Sequence, residues 1–257
     1  MKIKYPAEAF ALGMVLFSAG MKEAFAAGIL VILAVVFAEV LKNLLESRIP
    51  RWSLMGCVCV GTAAISSSAF LLGFSALGLE MEWGTWLMTL ILGLFAAKHV
   101  ISENIDAEYG ELLWESAVCW GFWILFAIGR EFFGTGEIFG NLIMKAEFQS
   151  GIFQDVIFGF LTAGISLACA NSVLKKNHTD TRTLWLVIPL ALFMRPFDME
   201  SFGQVAGLIW TAAVPVVLFW SVQKTLKFAN TGKAFRGLPV EMLSMGFIYM
   251  ILSIYFF

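Results

Sequence analysis

Lysine and arginine sort almost entirely to one side of the chain's apolar segments, and no other feature restricts the possible folds as much. Nine such segments can be drawn: Tyr5–Ala19, Glu23–Leu41, Trp52–Ala76, Trp83–Val100, Leu112–Gly129, Ile152–Leu174, Leu184–Phe197, Phe202–Val222 and Leu238–Phe257. If each crosses a bilayer once, Lys2, Lys4, Lys42, Arg48, Arg51, Lys98, Lys175, Lys176, Arg182, Lys224, Lys227, Lys233 and Arg236 fall on the N-terminal side. The other side receives only Lys22, Arg130, Lys145 and Arg195. Basic residues concentrate on the cytoplasmic side of membrane proteins. The chain is therefore expected in the cell (inner) membrane as a multi-pass protein, N-terminus cytoplasmic and C-terminus outside. One miscounted segment would scramble the sorting, so the charges also support the count.

Composition excludes the main alternatives. The chain is 60% hydrophobic and 14% charged, against about 45–50% and 25% for soluble domains. Its net charge of −2 offers no basic face, so no nucleic-acid partner is expected. Cys57, Cys59, Cys119 and Cys169 all lie inside apolar segments, which argues against a secreted disulfide framework. The basic and apolar start resembles a signal peptide, but Glu8 inside it and the eight further segments argue against cleavage. No P-loop, dinucleotide fingerprint, H-E-x-x-H or C-x-x-C occurs. His178 beside Asp180 has the character of a solvated turn, and any enzymatic role reduces to that of a non-catalytic subunit. Trp52, Trp83 and Trp185 near segment ends suit interfacial belts.

The expected fold is an all-α polytopic membrane protein with one transmembrane domain over residues 1–257. A perpendicular helix needs about 20 apolar residues to cross. Segments one, four and seven are shorter or interrupted, which predicts three repeats of three helices: 5–76, 83–174 and 184–257. An odd number of crossings per repeat inverts its neighbour. Inverted repeats with short helices in corresponding places point to a functional midplane. Thr85–Phe95 and Thr183–Phe193 share a hydrophobic pattern that fits such a repeat.

The string Ile128-Gly129-Arg130-Glu131-Phe132-Phe133-Gly134-Thr135-Gly136-Glu137-Ile138-Phe139-Gly140 predicts a span ending in an Arg–Glu anchor, then a glycine-rich reversal. It resembles the E-type (Nqr D-type) membrane subunits of the Rnf and Nqr ion-translocating electron-transport complexes. Phe148 through Ile165 is similar to that subunit's last span. The strings Lys233–Val240, Ile188-Pro189-Leu190 and Leu45–Pro50 also resemble family elements, the first of them the closing helix of the A-type subunit. The resemblance implies an E-type unit followed by an A-type-like third repeat. It also implies a Cys in each short helix to help hold a [2Fe–2S] cluster, which needs four thiolates. The corresponding places, near Val15, among Phe95, Ala96 and Ala97, and near Arg195, carry none. Cys57 and Cys59 point about 200° apart on a helix. No cluster supplied by this chain is expected, and no other cofactor.

Intramembrane charge usually marks a pathway or a pair. The candidate ion-path or coupling residues are Glu39, Lys98, His99, Arg130, Glu131, Arg195 and Asp198. Lys42 at i+3 from Glu39 can neutralise it. Lys98, His99, Arg195 and Asp198 lie where inverted short helices are expected to converge. Glu115 and Asp155 each sit about one turn into a span. The expected function is a membrane subunit of an Rnf/Nqr-like complex, coupling Na⁺ or H⁺ movement to electron transfer, with other membrane subunits as partners. The alternatives are a small-solute or ion transporter on the same scaffold, as a homo-oligomer, and a helical scaffold without transport.

Overall fold

A computed structural model describes residues 3–102, 109–176, 183–196, 203–225 and 232–256. Nine α-helices occur among them: α1 (Ala7–Phe17), α2 (Met21–Glu46), α3 (Arg51–Ala76), α4 (Trp83–Ser102), α5 (Tyr109–Thr135), α6 (Val156–Leu174), α7 (Leu184–Phe193), α8 (Gln204–Thr225) and α9 (Leu238–Phe256). A hairpin of β1 (Glu137–Ile138) and β2 (Asn141–Leu142) follows α5. Six of the helices, α2 to α6 and α8, are long and apolar enough to cross a membrane. The chain is thus an all-helical protein of multi-pass membrane type.

Local sequence explains the breaks. Pro50 precedes α3 with its φ at −65°, and the residue before a proline is steered out of the helical region. Asp155 is in extended conformation, and its carboxylate accepts from the Ile157 amide at the start of α6, an N-cap. Lys175 closes α6 with φ 54°. Pro189 and Pro215 lie inside α7 and α8, a tolerance typical of membrane helices.

The structure alters two expectations. α4 has 20 residues, so of the three helices expected to be short only α1 and α7 are. Its last turns continue because Lys98 and His99 find partners on the chain entering α1 and have no need to leave the bundle. α5 does not stop at Gly129 but runs on to Thr135. Arg130 and Glu131 therefore lie within the helix and are buried, rather than snorkelling at an interface, because hydrogen bonds from neighbouring segments satisfy both.

α1 occupies the middle of the bundle. Nine of its eleven residues are buried, against α6, α2 and α4. Glycines allow this closeness: a Cβ on Gly159 would stand 2.4 Å from the Val15 carbonyl oxygen, and one on Gly13 2.8 Å from the Trp123 ring. α3 packs on α4 through Gly93 in the same manner, with Ala63, Thr62 and Ser66 opposite. α9 packs along α6, and α7 and α8 complete the far side. Within the helices that these contacts order, Lys4, Lys42, Lys98 and Lys176 gather at one end of the bundle. Lys22 and Arg130 lie at the other.

Candidate functional site

Each end of α1 is tied down by charged side chains. At its start the chain Ile3–Pro6 is not helical, so its amides need partners inside an apolar bundle. Glu115 supplies them. Its Oε2 accepts from the backbone N–H of Lys4 at 2.6 Å and of Tyr5 at 3.3 Å. Its Oε1 accepts from Lys176 Nζ at 2.5 Å. Lys176 also donates to Glu111, which pairs with Lys4 Nζ at 3.1 Å. Lys98 donates to both oxygens of Glu8, at 2.6 and 2.9 Å. His99 Nε2 lies 2.6 Å from the Lys4 carbonyl oxygen, which only an Nε2–H form can use. Tyr5 donates its hydroxyl to Asn171 at 3.2 Å, and Asn171 donates to the Ala234 carbonyl at 3.3 Å.

At the other end of α1, Arg130 donates to Ser18 Oγ, to Phe153 O at 2.8 Å and to Asp155 O at 2.8 Å. Glu131 accepts from the Met21 amide at 2.8 Å and the Gly140 amide at 2.7 Å. Glu115 and Arg130 are fifteen residues apart on α5, about 22 Å along a helix axis. The stretch from Lys4 to Ser18 covers the same distance, running parallel to α5 between the two clamps.

The first clamp forms a graded series. Side-chain exposure falls from 36% at Glu111 and 27% at Lys4 to 8% at Lys176 and 2% at Glu115. Burial by itself pulls the Lys176 ammonium downward, but the carboxylates of Glu111 and Glu115 outweigh it and hold the group above the ordinary lysine value. The series holds paired charge in a low-dielectric interior and fixes the chain entering α1.

The expected site residues fall into separate places. Lys98 and His99 sit at the start of α1, and Arg130 and Glu131 at its end. Glu39 is buried on α2, 3.5 Å from Asn43 Nδ2. Lys42 is buried on the same helix and donates to the Val100 carbonyl at 3.3 Å. Arg195 is exposed after α7 with φ 39°, at the end of the bundle opposite Lys98, since Met194 lies against Thr85 near the start of α4. The expected convergence of the short-helix ends therefore fails for Arg195, because α4 and α7 run antiparallel. Asp198 lies outside the described residues. Glu8, Glu111 and Lys176 were missed as site residues. The i,i+4 spacing of Glu111 and Glu115 at the start of a span was the available signal.

The thiols do not fit the cluster that the resemblance implies. Cys57 is exposed and Cys59 half-buried on α3, Cys119 is buried on α5 and Cys169 half-buried on α6. The backbone at Val15, one expected ligand position, is pressed against Gly159, and Ala96 and Ala97 are fully buried. Among the described residues no group of three or more His, Cys, Asp or Glu is placed to hold a metal ion. No family model, curated protein or solved structure matches the chain.

Proposed function

We propose that this chain is a membrane subunit of an Rnf/Nqr-like ion-translocating electron-transport complex. It serves as scaffold and as part of the ion path, with redox centres held by other subunits. The observation that carries the ion-path role is the graded carboxylate–lysine series that ends on buried Glu115, at the start of a helix sealed inside the bundle. Buried ionisable groups cost several kcal/mol in a membrane interior, and where they persist they mark relays and coupling sites. The resemblance of the string around Arg130 and Glu131 supports the family reading; in the fold its two charges hold the chain on either side of the reversal into α2.

The contacts also support inverted repeats. Exchanging α1 with α4, α2 with α5 and α3 with α6 carries the α3–α4 contact onto α6–α1 and the α2–α3 contact onto α5–α6. The α1–α4 and α2–α5 contacts map onto themselves. In this reading all nine helices cross in alternation, with the N-terminus in the cytoplasm, the C-terminus outside the inner membrane and Na⁺ or H⁺ as the coupling ion; the one-sided distribution of lysine and arginine supports that orientation.

The placement of the thiols favours a second reading, a small-solute or ion transporter that keeps the scaffold without redox partners. Purifying the tagged protein with its partners and assaying iron and flavin separates the two. Co-purifying flavin- or iron-bearing subunits support the first reading, and a colourless homo-oligomer overturns it. Glu115→Gln tests the path in either case. Impaired ion movement in vesicles at normal expression is expected, and unchanged transport would make Glu115 a structural clamp alone.

A further inference from the structure

The segment after α5 carries more exposed apolar surface than a water-facing loop has reason to hold. Phe139, Leu142, Ile143, Met144 and Phe148 lie on non-helical backbone and are each 42–60% exposed. The hairpin that presents them is rigidly built. Its two turn residues, Phe139 and Gly140, both have positive φ, 57° and 73°, the conformation of a type I′ turn. Glu131 holds the Gly140 amide, and the Gly136 carbonyl accepts from the Ile143 and Met144 amides at 2.9 and 3.2 Å. A Cβ on Gly136 would stand 1.9 Å from the Met144 carbonyl oxygen, so the return strand lies directly on the end of α5.

The apolar side chains do not form an isolated patch. Phe148 packs on Phe133 and Phe132 of α5, with ring centroids 6.0 and 6.3 Å apart. Phe133 continues to Phe153 at 5.7 Å and Phe153 to Phe158 of α6 at 4.9 Å. Phe133 is itself exposed on a helix of membrane-spanning character, so the surface runs unbroken from the spans onto the hairpin. Two cations border it, Lys145 and Lys22, the latter 5.5 Å from the Phe139 ring. Glu137 and Glu147 are also in the segment.

We infer that residues 137–148 form an interfacial anchor that lies in the membrane, its apolar side chains among the acyl chains and its lysines level with lipid phosphates. The backbone fixes the depth. A hairpin of two residue pairs leaves amides and carbonyls without ladder partners, which hydrocarbon does not tolerate but the headgroup boundary does. Large apolar patches rimmed by polar groups mark membrane or protein contacts. Continuity with the spans, and lysines at the rim, select lipid. The inference rests on the chain spanning a membrane and not on its redox role.

Ile143→Cys, spin-labelled in a background with Cys57, Cys59 and Cys169 replaced by Ala, tests it. The protein is reconstituted in phosphatidylethanolamine–phosphatidylglycerol vesicles, with Val217→Cys on α8 as lipid reference and Glu80→Cys as water reference. Oxygen is expected to relax the Ile143 label more than a nickel chelate does, as at Val217 and opposite to Glu80. A label relaxed mainly by the chelate overturns the inference. So does one reached by neither reagent, which would mean a protein partner covers the hairpin. A chelate-dominated Val217 label would overturn the membrane reading with it.

Discussion

α1 and α8 are both apolar around their whole circumference, yet they occupy opposite environments. α1, with 11 residues, is enclosed on nearly every side. α8, twice as long, buries one narrow stripe, Gly207, Thr211, Pro215 and Phe219, among its described residues. A helix apolar on all faces belongs either in a protein core or in lipid, and apolar content alone does not choose between them. The ends do. Glu115, Lys98 and His99 hold the entry to α1, and Arg130 and Glu131 hold its exit, whereas the faces of α8 turn Val205, Ile209 and Val217 outward. Charged clamps at both ends, together with its apolar side chains, hold the shorter helix at the centre.

The sharpest way to break that contrast is to remove a clamp. Glu115→Ala leaves the Lys4 and Tyr5 amides without an acceptor and removes one of the two carboxylates paired with Lys176, and a loss of about 2–5 kcal/mol is expected from the unsatisfied amides. Thermal unfolding in detergent measures it, and a loss below about 1 kcal/mol would mean that packing alone holds α1. Gly159→Ala probes the packing itself. Its new methyl would press on the Val15 carbonyl, and overpacking of this kind costs about 1–3 kcal/mol. The same assay applies, and a neutral result would show that α1 and α6 can part without penalty. At the small end, Val217→Ala on the outward face of α8 should change stability by no more than about 0.5 kcal/mol. A larger change would place another protein surface against that face.

Much of this architecture can be read from the chain because apolar runs and their breakers are local. Pro50 and the charged turns bound the helices close to where the sequence places them, whereas Asp155, expected one turn inside a span, instead caps the start of α6. The errors came where side chains depend on distant partners. Arg130 and Glu131 looked like an interfacial stop, since nothing nearby announces that Ser18, Met21, Phe153 and Gly140 will satisfy them. Lys98 looked like a helix end because Glu8 is 90 residues away. Glu115 was noticed for its depth, but Lys176 lies 61 residues on, and no periodicity links the two. The burial of α1 was equally hidden, since its composition matches that of any lipid-facing helix. Only Gly13 and Gly159 record the close approach, and a glycine in an apolar run has several possible reasons.

The clamps on α1 also impose an order of assembly. Lys4, Ser18 and Met21 bind partners 110 to 112 residues further along the chain. At synthesis rates of about 5–20 residues per second, those partners emerge roughly 5–20 seconds later. Through that interval the Glu115, Arg130 and Glu131 contacts at the two ends of α1 cannot form. Insertion of the fifth and sixth helices is the event that closes the protein around its own beginning.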